Sequence, residues 1–171
     1  MKIGFLGTGH ITSSVIQGIF KSNLRINKIY VSPRNKSISK KLSKKFKKVS
    51  IAKNNQELIN LTNWVFLAVT PKVAHKILKT LVFKKNQKII SFISTINIEK
   101  LKKYTKAKKV TRVIPLPFVG INKGPIIICP NDKTIKNFFN KLGKTIEIKN
   151  EKISKNFWTA SSFMAPFYHF M

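Results

Sequence analysis

At 171 residues with 43% hydrophobic content, the chain can bury the core of one full domain and the start of a second, which excludes global disorder. A single cysteine, Cys129, excludes an intramolecular disulfide and a cysteine-cluster metal site and suits a reducing compartment; His10, His75 and His169 have no zinc-ligand spacing. The 34 basic residues against 5 acidic ones, a net charge of +29, point either to polyanion contact or to compositional bias, because nearly all of the excess is lysine spread along the chain.

In chain order, KIGFL (2–6) predicts a buried strand and ITSSVIQGIFKS (11–22) a helix, with Ile11, Val15, Ile19 and Phe20 at helical spacing. KIYVS (28–32) is a second strand and the lysine-rich run 36–48 a second helix, its KKLSKKFKK segment (40–48) reading as a solvated face. VSIA (49–52) is a short strand and NQELINL (55–61) a short helix. WVFLAV (64–69), wholly apolar, has the composition of a strand buried on both faces of a parallel sheet. PKVAHKILKTLV (71–82) is a helix with Pro71 in its first turn, KIISFI (88–93) a strand, and NIEKLKKY (97–104) a helix capped by Asn97. KVTRVI (109–114) and GPIIICP (124–130) are strands, NDKTIKNFFNKLG (131–143) a helix and KTIEI (144–148) a last strand.

This βαβα rhythm predicts a doubly wound, mostly parallel α/β sheet of Rossmann type over residues 1–150. From 151 to 171 the sequence turns aromatic, with Phe157, Trp158, Phe163, Phe167, Tyr168 and Phe170 at helical spacing. That segment reads as the beginning of a helical domain whose apolar face needs a partner or more chain. The first apolar stretch is too short and too broken by glycine for a signal peptide, and no apolar window nears the roughly 20 residues of a membrane span. The expectation is a soluble, cytoplasmic protein, with non-specific nucleic-acid contact at low salt from charge alone.

Gly7-Thr8-Gly9 follows a predicted strand and opens a predicted helix, the context that a dinucleotide fingerprint requires. Gly7 permits a tight turn, Gly9 lets backbone approach a pyrophosphate, and the helix N-terminus offers unpaired N–H groups and a positive dipole. Thr12 holds the third fingerprint position, where its bulk is expected to crowd helix against strand. By itself the pattern fits a cofactor cradle or an ordinary strand-turn-helix. Strand two ends in VSPRNKS (31–37) with no acid to hold a ribose diol. Ser32, Arg34, Asn35 and Lys36 instead offer hydrogen bonds and positive charge to a 2′-phosphate, which favours NADP(H) over NAD(H). His10 reads as a helix-start residue and His75 as a surface residue.

Several segments together resemble pyrroline-5-carboxylate reductase: IGFLGTGHI, IYVSPRN, Asn55, WVFLAVTPKV, ISFISTINIEKL, RVIPLPFVGINKGPIIICPN and TASSFMAPFYHFM, in order along nearly the whole chain. The resemblance implies that Gly7, Thr8, Gly9, His10, Ile11 and Thr12 line the pyrophosphate and that Ser32 and Arg34, with Asn35 beside them, meet the adenosine phosphate. It places Asn55 and the loop Ala68, Val69, Thr70, Pro71 along adenosine and nicotinamide. It implies hydride transfer from NADPH to a cyclic imine, giving proline, and a homo-oligomer formed through the C-terminal helix.

Two stretches depart from the family pattern. Leu116-Pro117-Phe118 stands where the family usually has Asn-Thr-Pro, and Ser162-Phe163-Met164-Ala165 stands before Pro166 where the family has a Ser-Gly-Ser-Gly-like turn. Leu116, Ser162, Phe163 and Pro166 therefore mark an altered substrate side, and no catalytic residue is assigned. Three readings follow: an NADP-dependent imine reductase, an NADP-binding module without catalysis, and a basic nucleic-acid-binding domain on a Rossmann scaffold.

Overall fold

The computed structural model describes residues 1–153. Eight strands form one sheet in the order β3-β2-β1-β4-β5-β6-β7-β8. They are β1 (Lys2–Leu6), β2 (Lys28–Val31), β3 (Val49–Ile51), β4 (Trp64–Leu67), β5 (Lys88–Ser91), β6 (Val110–Pro115), β7 (Pro125–Cys129) and β8 (Lys144–Glu147). Every pairing is parallel except β6 with β7. The reversal follows from chain length. Only residues 116–124 join β6 to β7, and a parallel return needs a crossover of about a dozen residues or more.

Helices α1 (His10–Lys21), α2 (Lys36–Lys45), α3 (Asn55–Leu61), α4 (Pro71–Ile77), α5 (Ile98–Thr105) and α6 (Lys133–Phe139) cover both faces. Period-two alternation assigns the strand side chains. Ile3, Phe5, Trp64, Phe66, Ile126 and Ile128 meet α1, α2 and α6 on one face. Leu6, Val65, Leu67, Ile127 and Cys129 meet α3, α4 and α5 on the other. Phe66 anchors the first face: it stacks on Phe5 with ring centroids 4.6 Å apart and meets Phe139 edge-on. Burial, with the Glu151 charge adding to it, pushes the Cys129 thiol above its ordinary range, so this thiol is an inert core group.

Several helices are shorter than their sequence patterns, each for a local reason. The expected helix 36–48 ends at Lys45, because the next residue turns out to stack Phe46 on Phe20, centroids 4.2 Å apart. The expected helix 71–82 ends at Ile77: the Thr80 hydroxyl donates to the Ile77 carbonyl, and Gln56 on α3 holds both backbone groups of Val82. The expected helix 131–143 runs only from 133 to 139, because Asp132 caps it with bonds from the Thr134 and Ile135 amides. A 3-10 helix over Pro117–Ile121 lies where no element was expected. It packs so closely on α1 that a Cβ at Gly18 would lie 2.1 Å from the Val119 carbonyl oxygen.

Arg112, 1% exposed at the middle of β6, is held by the Ile96 carbonyl and the Glu151 carboxylate. The same carboxylate accepts the Ile98 N–H at 3.1 Å, which ties the residues after β8 to the start of α5. Among the described residues no helix is long and apolar enough to cross a membrane.

Candidate functional site

The parallel strands β1, β2 and β4 end together, and β1 and β4 flank the point where the strand order reverses direction. Loops leaving that point diverge and open a crevice. Gly7 starts the β1–α1 loop with φ +106°, and a Cβ there would lie 2.2 Å from the Ala68 carbonyl oxygen. Glycine is therefore demanded at position 7 by conformation and by the approach of the β4 loop.

Ser32, 2% exposed, fastens this loop to the end of β2. Its Oγ accepts the Gly7 N–H at 3.0 Å, and its carbonyl accepts the hydroxyls of Thr8 at 3.0 Å and Ser39 at 2.9 Å. Thr12 closes the other side. It is fully buried and its hydroxyl donates to the Gly7 carbonyl at 2.8 Å. The expected crowding at the third fingerprint position does not arise, because the extra bulk is absorbed as a hydrogen bond that stiffens the turn.

Gly9 differs from Gly7. Its backbone is extended, and a Cβ built on it meets nothing within 4 Å. Among the described residues no contact requires glycine there; the missing side chain leaves space in front of the first turn of α1. That turn carries no acidic residue and no side-chain cap, so its amides and dipole face the opening. The donor set and the open space fit a pyrophosphate.

The crevice is a cavity of about 280 Å³. Its walls are Gly7, Thr8 and Gly9; Ser32, Arg34 and Asn35; Asn55 at the start of α3; Ala68, Val69 and Thr70 after β4; and Val73 and Ile77 on α4. No acidic residue lines it. Asn35 also caps α2, its Oδ1 accepting the Ile38 N–H at 3.2 Å, while Arg34 stands exposed at the rim. The end of β2 carries no carboxylate to repel a 2′-phosphate, and the exposed Arg34 guanidinium stands there, a group that could meet one.

Ten of the residues proposed from sequence thus share one cavity. His10, Ile11, Thr12 and Pro71 do not line it: His10 is exposed and Thr12 is committed to the Gly7 carbonyl. Leu116 stands apart, before the 3-10 helix. Ser162, Phe163 and Pro166 lie outside the described residues, as does the 154–171 aromatic run. Val73 and Ile77 were missed, although their i, i+4 spacing on the helix after the β4 loop was the available signal. His75 is not a simple surface residue, since its Nδ1 lies 2.8 Å from the Tyr104 hydroxyl.

A larger cavity of about 450 Å³ opens beside α4 and α5, walled by His75, Ser94, Asn97, Arg112 and Glu151 among others. Volume does not pick the site. That cavity lacks the glycine loop and the uncapped helix terminus, and its one arginine is already bound to Glu151.

Residues 2–98 match the family described as NADP oxidoreductase, coenzyme F420-dependent. Pyrroline-5-carboxylate reductase 2 of Bacillus subtilis is 27% identical over 139 residues, which is 80% of this chain and 50% of that protein. The crystal structure of 1-pyrroline-5-carboxylate reductase from Streptococcus pyogenes superposes with a TM-score of 0.81 at 23% identity, over 98% of this chain and 66% of that one. The Plasmodium falciparum pyrroline carboxylate reductase, crystallised with NADP bound, superposes with a TM-score of 0.78 at 25% identity, over 99% and 65%. The chain spans about half the length of the curated relatives it matches, 43–50%. The match to most of the sheet, the shared fold and the acid-free glycine cleft converge: the chain belongs to this NADP oxidoreductase family and carries an NADP-binding domain of the pyrroline-5-carboxylate reductase type.

Proposed function

We propose that this chain is the nucleotide-binding part of an NADPH-dependent reductase that delivers a hydride to a cyclic imine, in the sense of proline formation from pyrroline-5-carboxylate. The observation that carries the reading is the cradle itself. Gly9 leaves open space before the uncapped first turn of α1, and Arg34 stands at an acid-free β2 terminus.

NADPH, when bound, supplies the hydride. The chain's own residues bind, orient and exclude water. Amides of the β1–α1 loop would hold the pyrophosphate, and Arg34 with Asn35 would meet the 2′-phosphate. Asn55 and the backbone of Ala68, Val69 and Thr70 would line the remaining length, with Val73 and Ile77 as its apolar wall. Such positioning is where a protein lowers the barrier of a hydride transfer whose chemistry belongs to the cofactor.

The substrate side is assigned to Leu116 and to Ser162, Phe163 and Pro166, within a 151–171 segment that begins a helical domain for substrate and self-association. A cytoplasmic, reducing setting suits the single buried thiol. The apolar Leu116-Pro117-Phe118 stretch supports a second reading, an NADP-binding module without turnover. One experiment separates the two: NADPH consumption with pyrroline-5-carboxylate, beside a direct NADPH titration. Substrate-dependent consumption supports the reductase, saturable binding without consumption the module, and absent binding overturns both.

A further inference from the structure

At the opposite end of the sheet from the glycine cleft, two adjacent cavities of about 240 and 430 Å³ share Lys108, Lys109, Thr111 and Asp132 as walls, and together they make a basic trough. It runs past the starts of β5 and β6 and the end of antiparallel β7. Among the described residues six lysines line it: Lys85, Lys88, Lys102, Lys108, Lys109 and Lys133.

The one acid in the trough, Asp132, is already satisfied by Lys88 at 2.9 Å and by the Thr134 and Ile135 amides. Lys102 pairs with Glu99 outside it. Lys85, Lys108, Lys109 and Lys133 are exposed and make no ion pair among the described residues. Lys108 and Lys109 stand between the two cavities, with Lys85 on one side and Lys133 on the other, and like charges so gathered repel one another unless an anion sits between them.

We propose that this trough is a docking surface for a nucleic-acid duplex, held through its phosphates and blind to sequence. Lysine is a point charge that neutralises phosphate without demanding a fixed geometry. Among the described residues the lining contains no aromatic residue and no arginine, so these residues offer no platform on which a single-stranded base could stack and no fork to read a base edge. A protein partner would be expected to meet aromatic or arginine anchors, and a membrane a flat face with apolar insertion; the exposed apolar residues, Val82 and Ile121 foremost, do not line the trough. The inference is independent of the cofactor cleft.

The test is fluorescence anisotropy of a labelled duplex of about 20 base pairs, as DNA and as RNA, with the full chain across a salt series around 0.1 M. Lys108, Lys109 and Lys133 are changed together to Gln and compared with the charge-matched control Lys40, Lys41 and Lys44→Gln on α2. The trough variant is expected to weaken binding about tenfold or more and to flatten the slope of log affinity against log salt by about 2 to 3, near 0.9 per lost phosphate contact. The α2 variant is expected to change it much less. Equal losses in the two variants would overturn the proposal, because net charge alone would then explain binding. So would absent binding by the unaltered chain, equal competition by polyglutamate of matched charge, or preferential capture by anionic vesicles. The DNA and RNA arms identify which duplex is preferred.

Discussion

The two ends of the sheet both invite anions but do so by different physics. At the cleft the attraction is built from backbone: the Gly7 turn, the open space at Gly9 and the uncapped amides of α1, with Arg34 the only charged side chain among the described lining residues. At the trough it comes from lysine side chains, and the backbone contributes no comparable cradle. Fixed dipoles demand one shape of ligand, whereas mobile point charges accept many. The cleft is therefore expected to discriminate between closely related nucleotides, and the trough to respond chiefly to ionic strength.

The sharpest way to break this comparison is Gly9→Asp. The new Cβ meets nothing within 4 Å, so the fold should not notice it, but its carboxylate would face the phosphates. NADPH affinity is expected to fall on the order of 100-fold or more, with Tm nearly unchanged, from a like charge held a few ångströms away. Retained affinity in a fluorescence titration would remove the phosphate role from the β1–α1 loop.

Ser32→Ala tests whether the cleft is rigid by construction. It strips the Gly7 N–H of its acceptor inside a part-buried loop while leaving the Ser32 carbonyl contacts in place. The expected cost is about 1–3 kcal/mol of stability from the orphaned donor, with weaker NADPH binding beside it. Chemical denaturation and titration on the same sample read both. A change in stability with affinity untouched would show that loop geometry does not limit binding.

Arg34→Glu probes discrimination rather than affinity. With no acid at the end of β2, Arg34 is the one charged group among the described lining residues, and we propose that it distinguishes a 2′-phosphate from a hydroxyl. The ratio of NADPH to NADH affinity is expected to drop roughly tenfold or more, since a charge-assisted contact is replaced by repulsion. An unchanged ratio would transfer selection to other groups in the cleft.

Much of the cleft was legible in the sequence because its signals are local. A glycine pair between an apolar run and a helical pattern, and a missing acid after β2, need no tertiary knowledge. What escaped depends on contacts distant in sequence. Thr12 looked like a misfit until its hydroxyl found the Gly7 carbonyl, and Ser32, read as a cofactor contact and lining the cleft, also fastens the loop through its side chain. The early end of α4 rests on Gln56, twenty-six residues away from Val82. The trough escaped for the same reason: Lys85, Lys108 and Lys133 belong to separate segments, and only the packing of β5, β6 and α6 brings them to two adjacent cavities.

The smallest expected effect lies at the trough. Burial alone would raise the Asp132 carboxyl, but the Ile135 amide, the Lys88 ammonium and the Thr134 amide together hold it below the usual carboxylate range. A carboxyl lowered in the folded state binds its proton less readily than the same group in the unfolded chain. Its stabilising contribution is thus complete above the ordinary carboxylate pKa of about 4 and is lost as pH falls through the lower folded value. Asp132→Asn keeps an oxygen to cap α6 but removes the charge beside Lys88, so it should cost about 1 kcal/mol or less at neutral pH. The difference in Tm between the two proteins should shrink as pH falls through the lowered folded value, where the native carboxylate is itself being protonated. A difference that stays constant from neutral to acid pH would mean that the cap geometry, and not the ion pair, fixes this corner of the trough.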